Sequence, residues 1–497
     1  MNNAAASLTK YQMFIGGEWS DAASGATFES ANPYTGKPWA LIPRAGPEDV
    51  DRAVRAAHKA FTEGEWPKLT ATQRGALLRK LGDLIGPKAR ELAEIEVRDN
   101  GKLISEMGAQ TAYMAQWYYY FGGLADKVEG AVLPSDKADI FNYTRHEPLG
   151  VVAALVPWNS PLLLTAWKLA PALAAGNTVV IKPSEFTSAS ILEFMKLVEE
   201  AGFPKGVVNV VTGFGPETGA PLVEHALVAK ITFTGSDATG QKIYESAARG
   251  LKRVSLELGG KSPNIVFADA DLDNAVKGAI SGIFAATGQT CIAGSRLLVQ
   301  RSIHDEFVEK LVAFARTAKM GDPMSTDTQV GPVTTPPQYQ KVLDYIDIAR
   351  GEGATAALGG AKATEFDGGY FVQPTIFTGV KNTMRIAQEE VFGPVLSVIP
   401  FEDDEDAIAI GNGVVYGLAA GVWTRDIKRA LTMANRLQAG TVWVNTYRAV
   451  SFMSPFGGYK RSGVGRESGQ DMIKEYLQTK SVWISTASEV PNPFVMR

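Results

Sequence analysis

Apolar residues along the chain form two kinds of pattern, short continuous runs and runs with helical periodicity. The two kinds alternate most clearly between Leu149 and Gly260. Short runs rich in β-branched residues alternate there with segments of helical periodicity, which predicts strands that alternate with helices. Because the strands are almost continuously apolar, we expect a parallel sheet covered by helices on both faces. The predicted strands are 151–157, 178–183, 207–213, 230–235 and 253–260, and the predicted helices are 162–175, 188–201, 217–225 and 238–248.

A second alternation of strands and helices follows the first without a flexible linker. Before both, the chain predicts a hairpin in MFIGGEWSDAASG and then helices, and residues 128–148 predict another hairpin. The sequence therefore predicts an α/β protein with two successive α/β units and a small β segment. The second unit has predicted strands at 263–269, 295–300, 393–401 and 440–445 and helices at 272–287 and 305–319, and the N-terminal helices are predicted at 47–61 and 70–120.

Composition and charge exclude several classes of protein. Hydrophobic residues make up 45% of the 497 residues and charged residues 21%, as in globular rather than disordered chains. The net charge of −4 includes no basic block, so we expect no nucleic-acid partner. The longest apolar stretch, 151–176, is interrupted by prolines, an asparagine and a lysine, and the N-terminal MNNAAASLTKYQMF lacks a secretory signal. We therefore expect no membrane segment and a cytoplasmic location.

The single cysteine, Cys291, lies in ATGQTCIAGSR between a predicted helix and a predicted strand. One cysteine excludes an intramolecular disulfide, and the four scattered histidines lack zinc-binding spacing, so no metal site is predicted. A free cysteine is often a small buried apolar residue. The neighbours of Cys291 are glycines and polar residues, at a flexible junction of the kind that often displays catalytic side chains. Both interpretations stay open on these residues alone.

The segment LELGGKSPN places Glu257 near the end of an apolar strand, followed by Gly259 and Gly260. Two glycines allow another segment to approach the backbone closely beside that glutamate. A partly buried carboxylate there has a raised pKa and can act as a general base near neutral pH. A strand-end carboxylate in solvent is the alternative interpretation.

Two glycine-rich turns, 212–219 and 233–240, each join a predicted strand to a predicted helix. Backbone N–H groups at a helix N-terminus suit a pyrophosphate, but neither turn matches GxGxxG, so each is a weak signal. Lys182 and Glu185 in IKPSE lie just beyond a strand end, where a carboxylate can accept hydrogen bonds from ribose hydroxyls. A solvated surface pair is the alternative for these two residues.

Taken together, these segments resemble the aldehyde dehydrogenase superfamily over essentially the whole chain, in its hydrolytic, NAD(P)-dependent branch. Seven motifs stand in the order found in that family, whereas any single one could be coincidence. The matching stretches are PWNSPL (157–162), LAPALAAGNTVVIKPSE (169–185), FTGS (233–236), LELGGKSP (256–263), GQTCIAGSR (288–296), EEVFGPV (389–395) and PFGGYKRSGVGRE (455–467).

The resemblance implies a division of the α/β fold into three parts. A Rossmann-type cofactor domain would comprise 1–125 and 149–256, and an α/β catalytic domain 257–465. A small β oligomerisation region would combine 126–148 with 466–497. In the family this arm adds a strand to a partner's sheet, which protects an exposed edge, so we expect a homodimer or homotetramer.

The resemblance also implies roles, position by position. Cys291 matches the nucleophile, Glu257 the general base, and Asn159 the donor to an oxyanion, with the backbone N–H of Cys291 as second donor. Lys168 resembles a lysine assigned to proton relay. The positions implied to contact the cofactor are Lys182, Ser184, Glu185, Gly215, Phe233, Gly235, Ser236, Leu258, Glu390 and Phe392.

These roles imply NAD-dependent oxidation of an aldehyde to a carboxylic acid. The substrate would form a thiohemiacetal and then a thioester on Cys291, which water activated by Glu257 would hydrolyse. The carboxylate of Glu185 favours NAD over NADP because it repels a 2′-phosphate, while the neighbouring Lys182 leaves NADP possible.

Several positions of the expected substrate tunnel depart from the family pattern. Ser160 follows PWN where many members have an aromatic residue, and Ala285 and Val450 replace aromatic residues near the nucleophile, whereas Trp167 is retained. We therefore expect a wider tunnel and a substrate bulkier than acetaldehyde. Arg448 lies near the expected mouth of the tunnel, either to attract a substrate carboxylate or as a solvated side chain.

Three alternative functions stay open. A CoA-acylating semialdehyde dehydrogenase generally lacks the glutamate base, so Glu257 argues against that reaction. A cysteine esterase is opposed by the lack of a GxSxG elbow and of a histidine near Cys291 in the sequence. A non-enzymatic role is opposed by the combination of Cys291, Glu257 and Asn159, which a scaffold without activity does not need.

Overall fold

The computed structural model describes residues 8–490 and 492–495. Residues 1–7 lie outside the described residues. They begin the first predicted domain and belong to the N-terminal stretch MNNAAASLTKYQMF, for which no secretory signal is expected. Residue 491 and the last two residues of the predicted oligomerisation region also lie outside the described residues. The described part of the chain confirms the predicted α/β class, because helices pack on sheets whose central strands are parallel.

The strands, numbered in chain order, are β1 (Thr9–Lys10), β2 (Met13–Ile15), β3 (Glu18–Ser20), β4 (Thr27–Asn32), β5 (Lys37–Pro43), β6 (Val132–Leu133), β7 (Ile140–Pro148), β8 (Val151–Val156), β9 (Thr178–Pro183), β10 (Val208–Val210), β11 (Val228–Thr234), β12 (Arg253–Glu257), β13 (Pro263–Val266), β14 (Arg296–Gln300), β15 (Thr355–Leu358), β16 (Thr375–Thr378), β17 (Val395–Phe401), β18 (Tyr416–Gly417), β19 (Ala419–Trp423), β20 (Thr441–Val444), β21 (Tyr459–Lys460), β22 (Gly463–Val464) and β23 (Leu477–Ser485). The α-helices are α1 (Pro47–Thr62), α2 (Ala71–Asn100), α3 (Ile104–Leu124), α4 (Pro161–Ala174), α5 (Ala189–Ala201), α6 (Ala220–Glu224), α7 (Asp237–Arg249), α8 (Leu272–Ile283), α9 (His304–Ala315), α10 (Pro336–Gly351), α11 (Arg385–Gln388), α12 (Asp404–Asn412) and α13 (Ile427–Arg436).

The first large sheet has the strand order β22-β12-β11-β8-β9-β10-β2-β3. Its five middle strands are parallel, and β22, β2 and β3 extend it antiparallel at the two edges. The chain runs outward from β8 through β9 to β10 and then returns to the other side of β8 to form β11 and β12. The order therefore reverses between β8 and β11, where a crevice opens beyond the carboxyl ends of the strands.

The second sheet has the order β15-β16-β17-β14-β13-β19-β20 and is parallel except for β15. A short link joins the sheets, because β12 ends at Glu257 and β13 begins at Pro263. The amino end of β14 pairs beside that of β13, with Arg296 opposite Pro263. The segment before β14, which carries Cys291, thus lies next to the link, where a Cβ on Gly260 would be 2.4 Å from the Cys291 carbonyl oxygen.

A separate three-stranded sheet joins two distant segments of the chain. β23 pairs antiparallel with β7 along its whole length, from Leu477 opposite Pro148 to Ser485 opposite Ile140, and β6 pairs with the other side of β7. The hairpin predicted within 128–148 is therefore present and is extended by the C-terminal strand. Among the described residues, no helix combines the length and the apolar character needed to cross a membrane.

Three predicted elements differ from the structure. The single helix predicted at 70–120 is two helices, because Gly101 takes a left-handed conformation (φ 70°) that ends α2. The helix predicted at 217–225 begins as a π-helical turn at Gly215–Gly219, and only Ala220–Glu224 is α-helical. The helix predicted at 272–287 ends at Ile283, and the residues that follow it form the turn before Cys291.

Candidate active site

Cys291 lies where two cavities meet. One cavity, of about 130 Å³, opens beyond the ends of β8, β11 and β12, and we call it the strand-end cavity. The other, of about 120 Å³, is lined by Lys102 among others, and we call it the lysine cavity. The residues that line both cavities are Asn159, Leu164, Thr234, Glu257 and Cys291.

A left-handed turn precedes the cysteine. Ala286, Thr287 and Gly288 all have positive φ (53°, 55° and 71°), a conformation that costs an alanine or a threonine free energy. Hydrogen bonds hold it: the Ala286 N–H donates to Glu106 Oε1 at 2.9 Å, and Thr287 Oγ1 donates to the Gly331 carbonyl at 3.1 Å. The expected flexible junction is therefore a buried, hydrogen-bonded turn that fixes the position of Cys291.

The Cys291 thiol is not activated by its protein surroundings alone. Burial and the nearby carboxylates of Glu257 and Glu390 together raise its pKa to about 12, since a thiolate is unfavourable away from water and near negative charges. A thiolate can form here only when a base takes its proton or a positive charge enters the site.

Glu257 ends β12 and is 5% exposed. Neither of its carboxylate oxygens has a hydrogen-bond partner among the described residues. Burial raises the pKa of Glu257 well above its usual range, Glu467 raises it further, and Lys168 and Arg466 oppose the shift. This is the direction expected for a general base that works near neutral pH.

Lys168 lies in α4 and forms a fully buried ion pair with Glu467. Its ammonium also donates to Thr234 Oγ1 at 2.7 Å. Glu467 lies beside the active site, yet its role was missed in the sequence, although it ends the quoted stretch PFGGYKRSGVGRE. The signal available was the presence of this carboxylate in a stretch that matches the family.

The Asn159 side chain follows β8 and is held against the turn that carries the cysteine. Its Nδ2 donates to the Gln289 carbonyl at 3.0 Å, and the Gln289 side chain is itself fixed because its Oε1 accepts from the Thr334 N–H at 2.8 Å. An amide nitrogen carries two hydrogens, so one N–H of Asn159 remains for a group in the cavity.

Five of the predicted cofactor positions line the strand-end cavity. Ser236 is the N-cap of α7, whose first N–H groups point beyond β11, and Glu390 Oε1 accepts from the Gly260 N–H at 2.9 Å. Phe392 packs edge-on against Trp158, with ring centroids 5.2 Å apart, and Trp158 was not predicted. The five positions are Gly235, Ser236, Leu258, Glu390 and Phe392.

The other predicted cofactor positions lie outside the strand-end cavity. Lys182 and Glu185 follow β9, with Nζ and Oε2 3.6 Å apart, and Lys182 Nζ also donates to the Pro183 carbonyl at 2.9 Å. Ser184 lies between them in the chain, Gly215 follows β10, and Phe233 lies within β11. Because β8 to β11 are parallel neighbours, these positions and the strand-end cavity share one edge of the sheet.

The lysine cavity includes four of the five predicted tunnel residues, Ser160, Trp167, Arg448 and Val450. Ala285 is outside its lining, at the start of the turn before Cys291. The sequence interpretation missed several other lining residues: two come from segments far from the motifs, and two lie within the stretch PFGGYKRSGVGRE but were given no role. These are Lys102, Gln110, Phe456 and Glu467.

Comparisons with known proteins agree on one family. Residues 19–482 match the aldehyde dehydrogenase family. The chain is 49% identical over 494 residues to (Z)-2-((N-methylformamido)methylene)-5-hydroxybutyrolactone dehydrogenase of Acinetobacter baylyi, which covers 99% of this chain and 100% of that protein.

Solved structures give the same result. The fold matches betaine aldehyde dehydrogenase of Staphylococcus aureus in complex with NAD+ with a TM-score of 0.96 and 41% identity, over 98% of this chain and 96% of that one. It matches aldehyde dehydrogenase of Bacillus cereus in complex with NAD+ with a TM-score of 0.94 and 46% identity, over 96% of this chain and 97% of that one. The resemblance seen in the seven motifs is confirmed, and the chain belongs to the aldehyde dehydrogenase family.

Proposed function

We propose that the protein oxidises an aldehyde to a carboxylic acid with NAD as hydride acceptor, through a thioester on Cys291. The observation that carries this proposal is the position of Cys291 at the meeting point of two cavities. A substrate in one cavity and a nicotinamide in the other would both reach the same sulfur-bound carbon. The two structural neighbours described above were both solved with NAD+.

The strand-end cavity and the sheet edge beside it fit a dinucleotide. A Cβ on Gly259 would come within 2.5 Å of Glu390 Oε2, so a larger residue there would displace the Glu390 carboxylate. Ser236 and the N-terminus of α7 suit a pyrophosphate, Glu185 and Lys182 a ribose, and Glu390 and Phe392 the nicotinamide end. The bound cofactor supplies a hydride acceptor and a positive charge near Cys291.

The first step forms a bond between the Cys291 sulfur and the carbonyl carbon. Glu257 is placed to take the thiol proton, and the carbonyl oxygen becomes an oxyanion. The free N–H of Asn159 and the backbone N–H of Cys291 would donate to that oxygen. One such donor typically lowers the barrier by about 3–4 kcal/mol.

The second step hydrolyses the thioester left after hydride loss. Glu257 must first pass on the thiol proton that it took in the first step. It then takes a proton from water, whose oxygen adds to the acyl carbon, and the Cys291 sulfur leaves as a thiolate. Glu257 must then release the proton before the next cycle. The buried Lys168–Glu467 pair, whose charges shift the pKa of Glu257 in opposite directions, is the available route for that proton.

We further propose a substrate bulkier than acetaldehyde. Ser160 and Val450 line the lysine cavity with small side chains, which leaves room beside Trp167. The relative from Acinetobacter baylyi is named for a substituted hydroxybutyrolactone, a molecule much larger than acetaldehyde.

NADH formation across a panel of aldehydes tests the reaction. The panel contains short aliphatic, long aliphatic, aromatic and carboxylated aldehydes, each with NAD and with NADP, and Cys291→Ala is the control. We expect NADH with the larger aldehydes and none with the variant. Products that require added CoA would indicate the acylating reaction, and ester cleavage as the sole activity would indicate an esterase.

The three-stranded arm supports a proposal about assembly. Phe141, Trp483 and Ile484 on β7 and β23 are 45%, 58% and 45% exposed, and β6 and β23 each leave one edge unpaired in the described chain. We propose that these edges and side chains are covered in a homodimer or homotetramer. Light scattering is expected to give at least twice the monomer mass, and a monomer at micromolar concentration would contradict the proposal.

A further inference from the structure

A buried lysine faces the cavity that we assign to the aldehyde. Lys102 follows α2 and is 2% exposed, yet it is part of the lining of the lysine cavity. Its ammonium donates one hydrogen bond, to Ser160 Oγ at 2.8 Å, and forms no ion pair among the described residues. An ammonium has three N–H donors, so two remain available toward the cavity.

Arg448 contributes a second cation to the same lining. Its backbone is left-handed (φ 67°), which is unfavourable for a residue with a long side chain, and its Nη1 donates to the Ser281 carbonyl at 3.4 Å. In the described part of the chain it too lacks an acidic partner within ion-pair distance. The charge of Arg448 lowers the pKa of Lys102, which shows that the two cations are close enough to interact.

The acidic groups nearby form no ion pair with these cations among the described residues, although the charges of Glu106 and Glu96 raise the pKa of Lys102, that of Glu106 by more than Arg448 lowers it. Glu106 and Glu96 lie outside the lining, where Glu106 Oε1 accepts from the Ala286 N–H and Glu96 Oε2 accepts from the Leu162 N–H. Glu467 and Glu257 do line the cavity, but Glu467 is paired with Lys168, and among the described residues Glu257 forms no ion pair with Lys102 or Arg448. Burial lowers the pKa of Lys102 only to about 8, so most of this ammonium is charged at neutral pH.

We infer that the lysine cavity selects aldehydes that carry a second, anionic group, a carboxylate, which Lys102 and Arg448 bind while the carbonyl lies at Cys291. This inference rests on the proposed function and narrows its substrate class. A carboxylate would complete the hydrogen bonding of both cations with charge-assisted bonds, which are about twice as strong as neutral ones. An aldehyde with a positive group would be repelled.

Matched pairs of aldehydes test the inference. 4-Formylbenzoate and 4-formylbenzamide differ in charge but hardly in shape, and 5-oxopentanoate and pentanal form an aliphatic pair. We expect the carboxylate of each pair to have a kcat/KM at least about tenfold higher, mainly through a lower KM. Betaine aldehyde, named for the structural neighbour from Staphylococcus aureus, has a quaternary ammonium and is expected to be a poor substrate.

Two substitutions locate the effect. Arg448→Gln and Lys102→Gln are each expected to lower the ratio of kcat/KM for 4-formylbenzoate over 4-formylbenzamide about tenfold, and a ratio cancels any general loss of activity. Arg425→Gln is the matched control, since this arginine is exposed and outside the lining, and the ratio is expected to stay constant. Arg448 is only partly buried, so its variant tests the inference even if Lys102→Gln fails to fold.

The outcomes separate the two proposals. If the amide and pentanal are oxidised as well as their carboxylate partners, or if Arg448→Gln leaves the ratio unchanged, the inference is wrong and the proposed function stands. If no aldehyde gives NADH, the proposed function itself is wrong, and the inference with it. A tenfold preference that falls in Arg448→Gln and not in Arg425→Gln supports both.

Discussion

The two cavities that meet at Cys291 are built in different ways. The strand-end cavity opens beyond the ends of neighbouring parallel strands, and its lining includes two glycines, Gly235 and Gly259. The lysine cavity has no glycine among the described residues of its lining and is formed by side chains from widely separated parts of the chain, among them Lys102, Ser160, Arg448 and Glu467. A substitution changes a side-chain wall more easily than a strand end, so one half of the site is suited to a constant ligand and the other to a variable one.

The wall between the cavities belongs to both. Asn159, Glu257 and Cys291 face each cavity, and they come from a loop of the first sheet, from the end of β12, and from the turn before β14. Changes in this wall are expected to impair the reaction with every aldehyde and either cofactor. Changes in one cavity are expected to affect only the ligand bound there.

Among substitutions in the shared wall and in the two cavities that leave Cys291 in place, Glu257→Gln is expected to have the largest effect. The amide cannot take a proton from water, so steady-state turnover is expected to fall about 10²–10⁴-fold with all substrates. The positive charge of bound NAD can still favour a Cys291 thiolate, so acylation is expected to continue at a lower rate, and rapid mixing should show up to one NADH per site before turnover slows. Equal losses with every aldehyde and cofactor would place Glu257 in the shared wall, and a loss confined to one substrate would contradict that position.

The pH dependence gives a second readout for Glu257. A base must be deprotonated to act, so activity is expected to fall as the pH drops through the pKa of Glu257. Burial raises that pKa well above its usual range, so this acid limb should lie clearly above the pH of about 4.3 expected for an ordinary glutamate. In Glu257→Gln this fall in activity at low pH should disappear. If it persists in the variant, the titration belongs to another group.

The difference between the cavities also explains what the sequence could predict. Ser236, Leu258 and Glu390 stand in contiguous motifs at strand ends, so a resemblance in sequence was enough to select them, and all three line the strand-end cavity. The parallel sheet followed from continuous apolar strands, but not its order, because nothing in the strands shows that β11 returns to the free side of β8.

The approach of side chains from distant segments was not predicted. Arg448 was expected near the tunnel mouth but Lys102 was not, because their approach depends on the packing of α2 against the rest of the fold. The left-handed turn at Ala286 and Thr287 was also hidden, because both residue types disfavour that conformation and here it is enforced by contacts with Glu106 and Gly331.

Ser160→Phe tests the lysine cavity by volume. A phenyl ring there would fill space beside Trp167, so kcat/KM for bulky aldehydes is expected to fall roughly ten- to hundredfold relative to acetaldehyde. Ser160→Ala is the matched control, because it removes the hydrogen bond from Lys102 without adding volume. The KM for NAD is expected to change little in both variants, and a large rise in it would show that the two cavities are coupled.

The smallest effect is expected for Glu185→Gln, on the cofactor side. Glu185 is outside the strand-end cavity, with a side chain 29% exposed, so solvent screens its charge. The substitution removes the repulsion of a 2′-phosphate and leaves Lys182 to attract it, so kcat/KM for NADP relative to NAD should rise about tenfold, equivalent to ~1.4 kcal/mol. Glu200→Gln, at an exposed position of α5, controls for a general change in charge. The preference among aldehydes should stay constant, because Glu185 does not line the lysine cavity. A shift in aldehyde preference without a shift in cofactor preference would contradict the assignment of this edge of the sheet to the cofactor.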